Sequence, residues 1–328
     1  MEKTVDTKNK KVKKRVLGVL FFFLCEGVFV SILSICLIFY GPLTHIRDIY
    51  VTSAMKSMSH HYFATIFLSQ KTVDEIMAKN VEVIKNVEQK SNTITIKKEN
   101  DKGIEIIDIN KSHFKGKIMI VNDPKRVVVG SAPNLSKSGA TLSEMVKNYG
   151  AIGGINAGGF IYGDDAGVGG LPTGIVVEKG QVVYTEKGFT HFRVVGIDDQ
   201  GVLIINNSMT VDAIKKSKIQ YAISFGPSLI MNGVGLVTSG GIDLAPRTAI
   251  GQKRDGSIML VVIDGRQASS LGATMMDMQN LMMEYGAYNA TNLDGGYSTA
   301  MVYQNKIVNS PSNIWGERSI PTGFLVTS

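Results

Sequence analysis

The chain has 328 residues, 44% of them hydrophobic and 35 of them glycine, a composition that fits a globular body and excludes an intrinsically disordered protein. Its formal net charge is +7, of which residues 1–15 carry +5 (seven basic and two acidic side chains) and Glu26 carries −1, so the rest of the chain carries only +3. The basic charge is therefore concentrated in the N-terminal tail, and no nucleic acid is expected as a partner.

The first predicted element is a membrane span. A cluster of lysine and arginine between residues 8 and 15 precedes an almost wholly apolar run over residues 16–40, roughly the length that crosses a bilayer. Only Glu26 interrupts it, at a cost of roughly a few kcal/mol that so apolar a segment can absorb. The run is too long for the core of an ordinary signal peptide and has no convincing small-residue cleavage site. The sequence therefore predicts an uncleaved signal anchor, with a cleaved signal peptide and a buried soluble helix as alternatives.

The predicted topology follows from the positive-inside rule. The basic tail, residues 1–15, is expected in the cytoplasm, and residues 16–43 form the transmembrane anchor. The protein is thus predicted to be a single-pass protein of the cell membrane with an extracellular C-terminal domain. Both cysteines, Cys25 and Cys36, fall within the span. An exported body without disulfides depends on its core and is more typical of a bacterial surface protein than of an animal secreted one.

Residues 44–109 are predicted to form a helical stalk followed by an edge hairpin. Apolar residues recur at helical spacing after residue 44, and Thr72 is a candidate N-cap for a further helix. Alternating isoleucines over residues 92–110 indicate the hairpin. His60 and His61 are adjacent and would point apart on a helix, so they are not expected to bind a metal together.

Residues 110–328 are predicted to form the main domain, in which short strands are separated by turns. Helices are predicted only over residues 141–149 and 274–285. Repeated hairpins with few helices indicate an α+β fold with mixed, largely antiparallel β-sheets and a few packed helices, preceded by the N-terminal transmembrane helix. The glycine-rich runs lack the strand–loop–helix context of a nucleotide fingerprint, so a doubly wound fold is not expected.

Polar segments punctuate the strand ends of this domain, where a rigid scaffold commonly presents site residues. The most informative segment is 292–301, in which one carboxylate, two glycines and two hydroxyls lie between a predicted helix and a predicted strand. Taken alone, it is equally consistent with a solvated Asp-Gly turn that closes a hairpin. The other segments are 155–160, 246–251, 263–266 and 317–321.

The order and the amino-acid sequences of these segments resemble those of the phosphodiester glycosidase family over residues 110–328. The Asn-Leu-Asp-Gly-Gly segment at 292–296 and the Arg-Thr-Ala-Ile-Gly segment at 247–251 are specific together, whereas each alone is weak. The main departure from the family form is Tyr297, which stands where the family usually has a third glycine. An aromatic ring there could narrow the site or stack on a sugar, so the departure concerns the substrate more than the reaction.

The resemblance implies hydrolysis of a sugar-1-phosphodiester between the anomeric carbon and the phosphate, in cell-surface or exopolysaccharide glycans, without a cofactor. Arginine is the preferred bidentate partner of phosphate. A phosphate monoester departs readily, so the main need is a carboxylate near the anomeric carbon. Asp294 is the first catalytic candidate and Asp264 is the second. The candidates for binding substrate or phosphate are Arg247, Arg266, Arg318, Asn156, Gly295, Gly296, Ser298 and Thr299, the two glycines through backbone N–H groups.

Other interpretations of these residues stay open. Asp264 also fits a simple turn, Arg247 fits a structural ion pair, and Asn156 fits a residue that satisfies buried backbone groups. No dense set of His, Cys and Asp ligands is present in the sequence, so no metal site is predicted. Two rival functions remain: a non-catalytic surface protein that binds glycans or assembles polysaccharide, which the substitution at Tyr297 favours, and a glycosyl transferase on the same scaffold.

Overall fold

The computed structural model describes residues 2–57, 61–90, 93–97, 101–161, 169–313 and 315–328. By its internal contacts the chain divides into two compact units, Met1–Asn80 and Val81–Ser328. The first unit is helical and the second is built mainly of strands. Each unit has a hydrophobic core of its own.

The first unit consists of an apolar helix and a small helical bundle. Its helices are α1 (Glu2–Phe39), α2 (Thr44–Met55), α3 (Tyr62–Thr65) and α4 (Gln70–Lys79). Within α1, Lys13–Phe39 is long and apolar enough to cross a membrane. The N-cap of α4 is Ser69 rather than the predicted Thr72, because Ser69 Oγ accepts the backbone N–H of Thr72 at 3.2 Å.

The core of this unit joins the end of α1 to the three helices that follow. Its buried residues are Phe39, Val51, Ala54, Ala64, Leu68, Val73 and Ile76. Because α2, α3 and α4 all contribute to one core, the segment that the sequence predicts to be a stalk is a compact bundle up to Asn80. His60 lies outside the described residues.

The second unit alternates short strands with three helices in its described part. The helices are α5 (Leu142–Asn148), α6 (Val211–Lys216) and α7 (Met275–Glu284). The strands are β1 (Val83–Ile84), β2 (Ile104–Asn110), β3 (Lys115–Val121), β4 (Val127–Ser131), β5 (Gly153–Asn156), β6 (Ile175–Glu178), β7 (Gln181–Thr185), β8 (Phe192–Asp198), β9 (Leu203–Met209), β10 (Ile219–Ile223), β11 (Ser228–Met231), β12 (Val234–Gly235), β13 (Val237–Ser239), β14 (Arg247–Lys253), β15 (Ile258–Ile263), β16 (Ala287–Leu293), β17 (Met301–Tyr303), β18 (Lys306–Ile307) and β19 (Thr322–Val326). The two predicted helices are confirmed as α5 and α7, and each begins with a capping box, at Thr141 and at Thr274.

Every pairing between these strands is antiparallel. The largest sheet has the order β12-β11-β16-β14-β15-β3-β2, and two five-stranded sheets have the orders β18-β17-β5-β19-β4 and β7-β6-β10-β8-β9. A short pair, β1 with β13, completes the set among the described strands. Antiparallel sheets with a few packed helices confirm the predicted α+β fold.

The predicted boundary between residues 109 and 110 falls inside β2, within the second unit. All seven residues of β2 pair with β3, from Ile104 opposite Val121 to Asn110 opposite Lys115. Among the described residues, the strand that pairs with β2 is β3, and Thr95 N and Lys97 N donate instead to Arg254 O and Asp255 O, each at 3.0 Å. The ladder ties β2 into the large sheet, so the units divide at Asn80 instead.

The large sheet lies between two cores. Even-numbered residues of β15 enter the core shared with the two five-stranded sheets, and odd-numbered residues enter the core beneath α7. Successive side chains of a strand point to opposite faces. β15 has no polar residue and is buried on both faces. It therefore forms a rigid centre of the sheet, and loops project from its ends.

Candidate active site

Residues 294–300, between β16 and β17, are here called the Asp294 loop. This loop lies where strands of two sheets end together. Thr248 pairs with Leu293, so the start of β14, at Arg247, and the residue after β16, Asp294, lie at the same end of the large sheet. Asp294 N donates to Ala157 O at 3.0 Å, just beyond the end of β5 in a five-stranded sheet. Segments 155–160, 246–251 and 292–301 therefore lie next to one another in the fold.

Asn156 links these strands to one another through side-chain hydrogen bonds. Its Nδ2 donates to Asp294 O at 2.6 Å, while its Oδ1 accepts from Thr248 Oγ1 at 2.9 Å and from Ala300 N at 3.1 Å. The side chain is 1% exposed. Asn156 therefore positions the Asp294 loop, in agreement with the alternative in which it satisfies buried backbone groups.

The Asp294 carboxyl group has an unusual electrostatic environment. Burial of the carboxyl raises its pKa from 3.8 to about 6, against the lowering effects of the Ser298 hydroxyl, the positive charge of Arg318 and the backbone N–H of Gly295. A carboxyl with a pKa near 6 exists in both protonation states near neutral pH. It can therefore act as a base or, when ionised, as a nucleophile in this pH range.

Ser298 lies beside this carboxyl and is 3% exposed. Its Oγ is close enough to lower the pKa of Asp294 but forms no hydrogen bond of good geometry in the described part of the chain. A buried hydroxyl without a well-formed bond is costly unless a ligand or the neighbouring carboxyl completes it. The next residue, Thr299, is buried with its Oγ1 3.3 Å from Thr248 Oγ1, so it links the loop to the start of β14.

Two of the three predicted arginines border the Asp294 loop with their charged groups. The Arg318 guanidinium lies 4.8 Å from the centre of the Phe160 ring, and its charge acts on the Asp294 carboxyl. The Arg266 guanidinium lies 5.0 Å from the centre of the Tyr297 ring. Stacking on an aromatic face holds a guanidinium in one orientation while its N–H groups still point outward.

Arg247 is held by the protein itself. Its Nη2 donates to Asp243 Oδ2 at 2.6 Å in a buried ion pair, and its Nε donates to Ala273 O at 2.9 Å. These contacts agree with the structural alternative that the sequence left open. These contacts of Arg247 therefore fix the start of β14, against which the Asp294 loop packs.

Gly295 and Gly296 allow the backbone of the Asp294 loop to adopt its conformation and to pack closely. The N–H of Gly296 donates to Pro246 O at 2.9 Å, and the N–H of Gly295 is directed to the Asp294 carboxyl. Both N–H groups that were predicted to bind phosphate thus have partners within the protein. A Cβ at Gly295 would lie 2.7 Å from Pro246 O, and Gly296 has a φ of +61°, so both positions require glycine for steric reasons.

Asp264 anchors a neighbouring segment. Its Oδ1 accepts from Asn309 Nδ2 and from Ser310 N, each at 2.9 Å. Burial raises the pKa of this carboxyl, while the bonds from Asn309 and Ser310 and the charge of Lys117 lower it. The contacts of Asp264 thus lie with the segment that leads toward Arg318, and not with the Asp294 loop.

Asp243 and Phe160 contribute to the site but were not predicted from the sequence. Asp243 precedes Arg247 by four residues, but that spacing indicates a contact only within a helix. Phe160 lies inside the segment 155–160, where its aromatic ring next to glycines was the available signal. In the described part of the chain, no group of three or more His, Cys, Asp or Glu side chains could hold a metal ion. The acidic pair Asp164 and Asp165, which could bind a cation on sequence grounds, lies outside the described residues.

The fold and the site define a class of protein: an antiparallel α+β domain that presents one carboxyl with a raised pKa beside arginine side chains, an arrangement suited to anionic ligands. The family model described as phosphodiester glycosidase matches residues 149–327, more than half of the chain. The chain therefore belongs to the phosphodiester glycosidase family, as the sequence motifs predicted.

Curated relatives match parts of the chain. It is 29% identical over 182 residues to the SPbeta prophage-derived uncharacterized protein YomE of Bacillus subtilis (strain 168), covering 53% of this chain and 27% of that protein. It is 32% identical over 77 residues to N-acetylglucosamine-1-phosphodiester alpha-N-acetylglucosaminidase of Bos taurus, covering 22% of this chain and 14% of that enzyme. The chain thus spans 27% or less of the length of these two relatives.

A solved structure has a similar fold. The catalytic domain of zebrafish N-acetylglucosamine-1-phosphodiester alpha-N-acetylglucosaminidase superimposes with a TM-score of 0.57 and 21% sequence identity. The match covers 75% of this chain and 88% of the zebrafish chain. At this identity the likeness shows the fold, so the roles of individual residues depend on the geometry of the site.

Proposed function

We propose that this protein is a membrane-anchored phosphodiester glycosidase that hydrolyses the bond between the anomeric carbon and the phosphate of a glycosyl-1-phosphodiester. One observation carries the proposal: a carboxyl with a pKa of about 6, at Asp294, lies within the electrostatic influence of Arg318 at the meeting point of the family's motif segments. Family membership supports the reaction class.

In this reaction the ionised Asp294 carboxylate acts at the anomeric carbon. As a base it takes a proton from water while the water oxygen bonds to that carbon; as a nucleophile it bonds to the carbon first, and water then releases the sugar. In both routes the bond from the carbon to the phosphate oxygen breaks, and a phosphate monoester leaves. Arg318 and Arg266 offset the growing negative charge on that leaving group.

The substrate class follows from the site and from the apolar helix. The arginines suit a phosphate-containing glycan, and the chain needs no nucleotide or cofactor for a hydrolysis of this kind. An anchored enzyme whose C-terminal domain is outside the cell would reach cell-surface or exopolysaccharide glycans of a bacterium. The membrane-spanning length of Lys13–Phe39 supports this location.

The experiment that tests the function is release of free sugar from a sugar-1-phosphodiester by the purified full-length chain and by Asp294→Ala. We expect the variant to lose at least about 10³-fold in turnover, because it lacks the reacting carboxylate. Asp212→Asn, which alters an exposed carboxyl at the start of α6, is the matched control and should turn over normally.

Three outcomes would contradict the proposal. Turnover by Asp294→Ala at the wild-type rate would remove Asp294 from the mechanism. Tight binding without turnover over a broad panel of phosphoglycans would instead indicate a glycan-binding protein. A product mixture that changes with added alcohol or glycan acceptor would indicate a transferase.

A further inference from the structure

The bundle formed by α2, α3 and α4 packs against the last turns of α1, where that helix would leave a bilayer. An α-helix rises about 1.5 Å per residue, so about 20 residues span the roughly 30 Å of hydrocarbon. Counted from Val16, the start of the apolar run, this length ends at Ile35. Ile35, Ile38 and Phe39 belong to the core shared with the bundle. The bundle therefore begins where the hydrocarbon ends.

Apolar side chains that this core does not use cover one side of the bundle. Leu43, Ile46 and Tyr50 follow one another at spacings of three and four residues, which places them on one face at α2. Tyr62, Phe63 and Ile66 lie on and just after α3. These six residues, here called the aromatic face, are between 36% and 63% exposed.

The aromatic face is continuous with the end of α1. The rings of Phe39 and Tyr50 meet edge to face with their centres 5.3 Å apart. Tyr50 also lies near Tyr62. Burial raises the pKa of the Tyr50 phenol, and the charge of Tyr62 raises it further. The Tyr40 hydroxyl donates to Phe67 O, which ties the turn after α1 to the end of α3. The face thus runs from the membrane-spanning helix across α2 to α3.

Charged side chains lie on a different helix of the bundle. The exposed residues of α4 include Lys71, Asp74, Glu75 and Lys79. Lys79 also reaches the buried Asp48, at 3.5 Å, which pairs with Arg47. The exposed charged residues of the bundle are thus concentrated on α4, with Lys56 at the end of α2 as the exception. A structure that meets a membrane surface on one side and water on the other commonly separates exposed apolar and charged residues in this way.

We propose that the aromatic face docks onto the bilayer surface, so that the bundle is a membrane-bound collar around the exit of α1 and not a spacer. This inference rests on the anchoring proposed above. Soluble surfaces rarely expose contiguous apolar patches of this kind, and tyrosine is enriched where membrane meets water because its ring is apolar and its hydroxyl is polar. Continuity with the span selects lipid over other occupants.

The experiment measures collisional access to spin labels on the full-length chain in phosphatidylcholine–phosphatidylglycerol vesicles. The native thiols are removed by Cys25→Ser and Cys36→Ser, and single labels are placed by Tyr62→Cys, Ile66→Cys and, as the control on α4, Glu75→Cys. All three positions are exposed, so the labels leave the core intact. Oxygen concentrates in the bilayer, whereas a nickel chelate stays in water.

We expect the labels at positions 62 and 66 to relax more with oxygen than with the nickel chelate, and the label at position 75 to show the reverse order. Equal preference for nickel at all three positions would overturn the docking. Low access to both reagents with spin–spin broadening would assign the face to a second copy of the chain and would also overturn it. Failure of the protein to float with vesicles would refute the anchoring itself, which separates the two claims.

Discussion

Asp294 owes its chemical character to atoms that come from distant parts of the chain. Its backbone is held by Ala157 and Asn156, and its carboxyl is influenced by Arg318 and Ser298. Burial opposes ionisation, while the arginine, the hydroxyl and the N–H of Gly295 favour it, and burial is the larger effect. The residue is therefore poised between two protonation states near neutral pH, which is where an acid–base group is most effective.

The pH dependence of kcat/KM should report this group. Because the proposed mechanism needs the ionised carboxylate, and its pKa is about 6, kcat/KM should rise through pH 6 and level off above it. Below the pKa, each pH unit should lower the rate about tenfold. The measurement is a profile between pH 4 and 8 with a sugar-1-phosphodiester, whose phosphate keeps its single negative charge over this range. A rate that falls above pH 6 would instead assign Asp294 as a general acid.

The raised pKa of Asp294 also predicts how the stability of the Asp294→Asn variant, relative to wild type, changes with pH. A folded-state pKa raised from 3.8 to about 6 means that the fold favours the protonated form. The corresponding stability is fully present below pH 3.8 and is lost as the pH rises through 6. Asn is neutral throughout, so its stability relative to wild type should increase between pH 4 and 7, by at most about 3 kcal/mol. Denaturant unfolding at both pH values measures this, and an unchanged difference would refute the shift.

Among the elements, α7 links the large sheet to the site. Thr274 Oγ1 accepts the N–H of Asp277 at 3.0 Å, and Asp277 Oδ2 accepts the N–H of Thr274 at 2.9 Å, which closes the capping box. The residue before the cap, Ala273, accepts the bond from Arg247 Nε. The start of this helix therefore orients Arg247, whose strand supports the Asp294 loop.

Removing the cap of α7 should consequently affect both stability and activity. Thr274→Ala should cost about 1 kcal/mol, as expected for a lost N-cap, and should lower kcat/KM roughly three- to tenfold through displacement of the Arg247 strand. Thr210→Ala removes the N-cap of α6, which accepts from Ala213 N at 3.2 Å, and is the matched control.

The two cap variants separate folding from function. We expect similar losses of unfolding free energy in Thr274→Ala and Thr210→Ala, but a loss of kcat/KM only in the first. Equal activity in the two variants, at equal stability, would show that α7 does not orient the site.

At the scale of the whole molecule, an apolar helix and a strand-rich domain are joined in one chain. The helix has the length of a membrane span over Lys13–Phe39, and the family match falls at residues 149–327. The basic tail, residues 1–15, favours a cytoplasmic N-terminus. If the tail is inside, the domain that carries the Asp294 loop is outside the cell.

Fractionation of a bacterial host tests this arrangement. We expect the full-length chain to remain with membranes after an alkaline carbonate wash, because a span of this hydrophobicity inserts stably. Protease added to intact cells without an outer membrane should digest the second unit while a cytoplasmic marker survives. Release of the chain by the wash would contradict anchoring, and protection of the second unit would contradict the orientation.

Much of the fold and part of the site could be predicted from the sequence. Short apolar runs separated by turn residues predicted the hairpins, and the helices over residues 141–149 and 274–285 were also predicted, because these signals are local. The position of Asp294 in a tight loop was also predicted, from its glycines. Asn156, Arg247 and Gly296 were placed at the site by their motifs, but their contacts with protein atoms could not be inferred, because the partners lie on other strands.

The sequence by itself determined the apolar span, the strand-and-turn pattern and the order of the motif segments, since each depends on neighbours along the chain. Only the tertiary structure decided that Asp294 has a raised pKa, that Arg247 is paired with Asp243, and that the predicted stalk is a bundle. The physical reason is the same in each case. Burial, charge interactions and packing depend on distances in space, and folding brings together residues that are as far apart in sequence as Asn156 and Asp294.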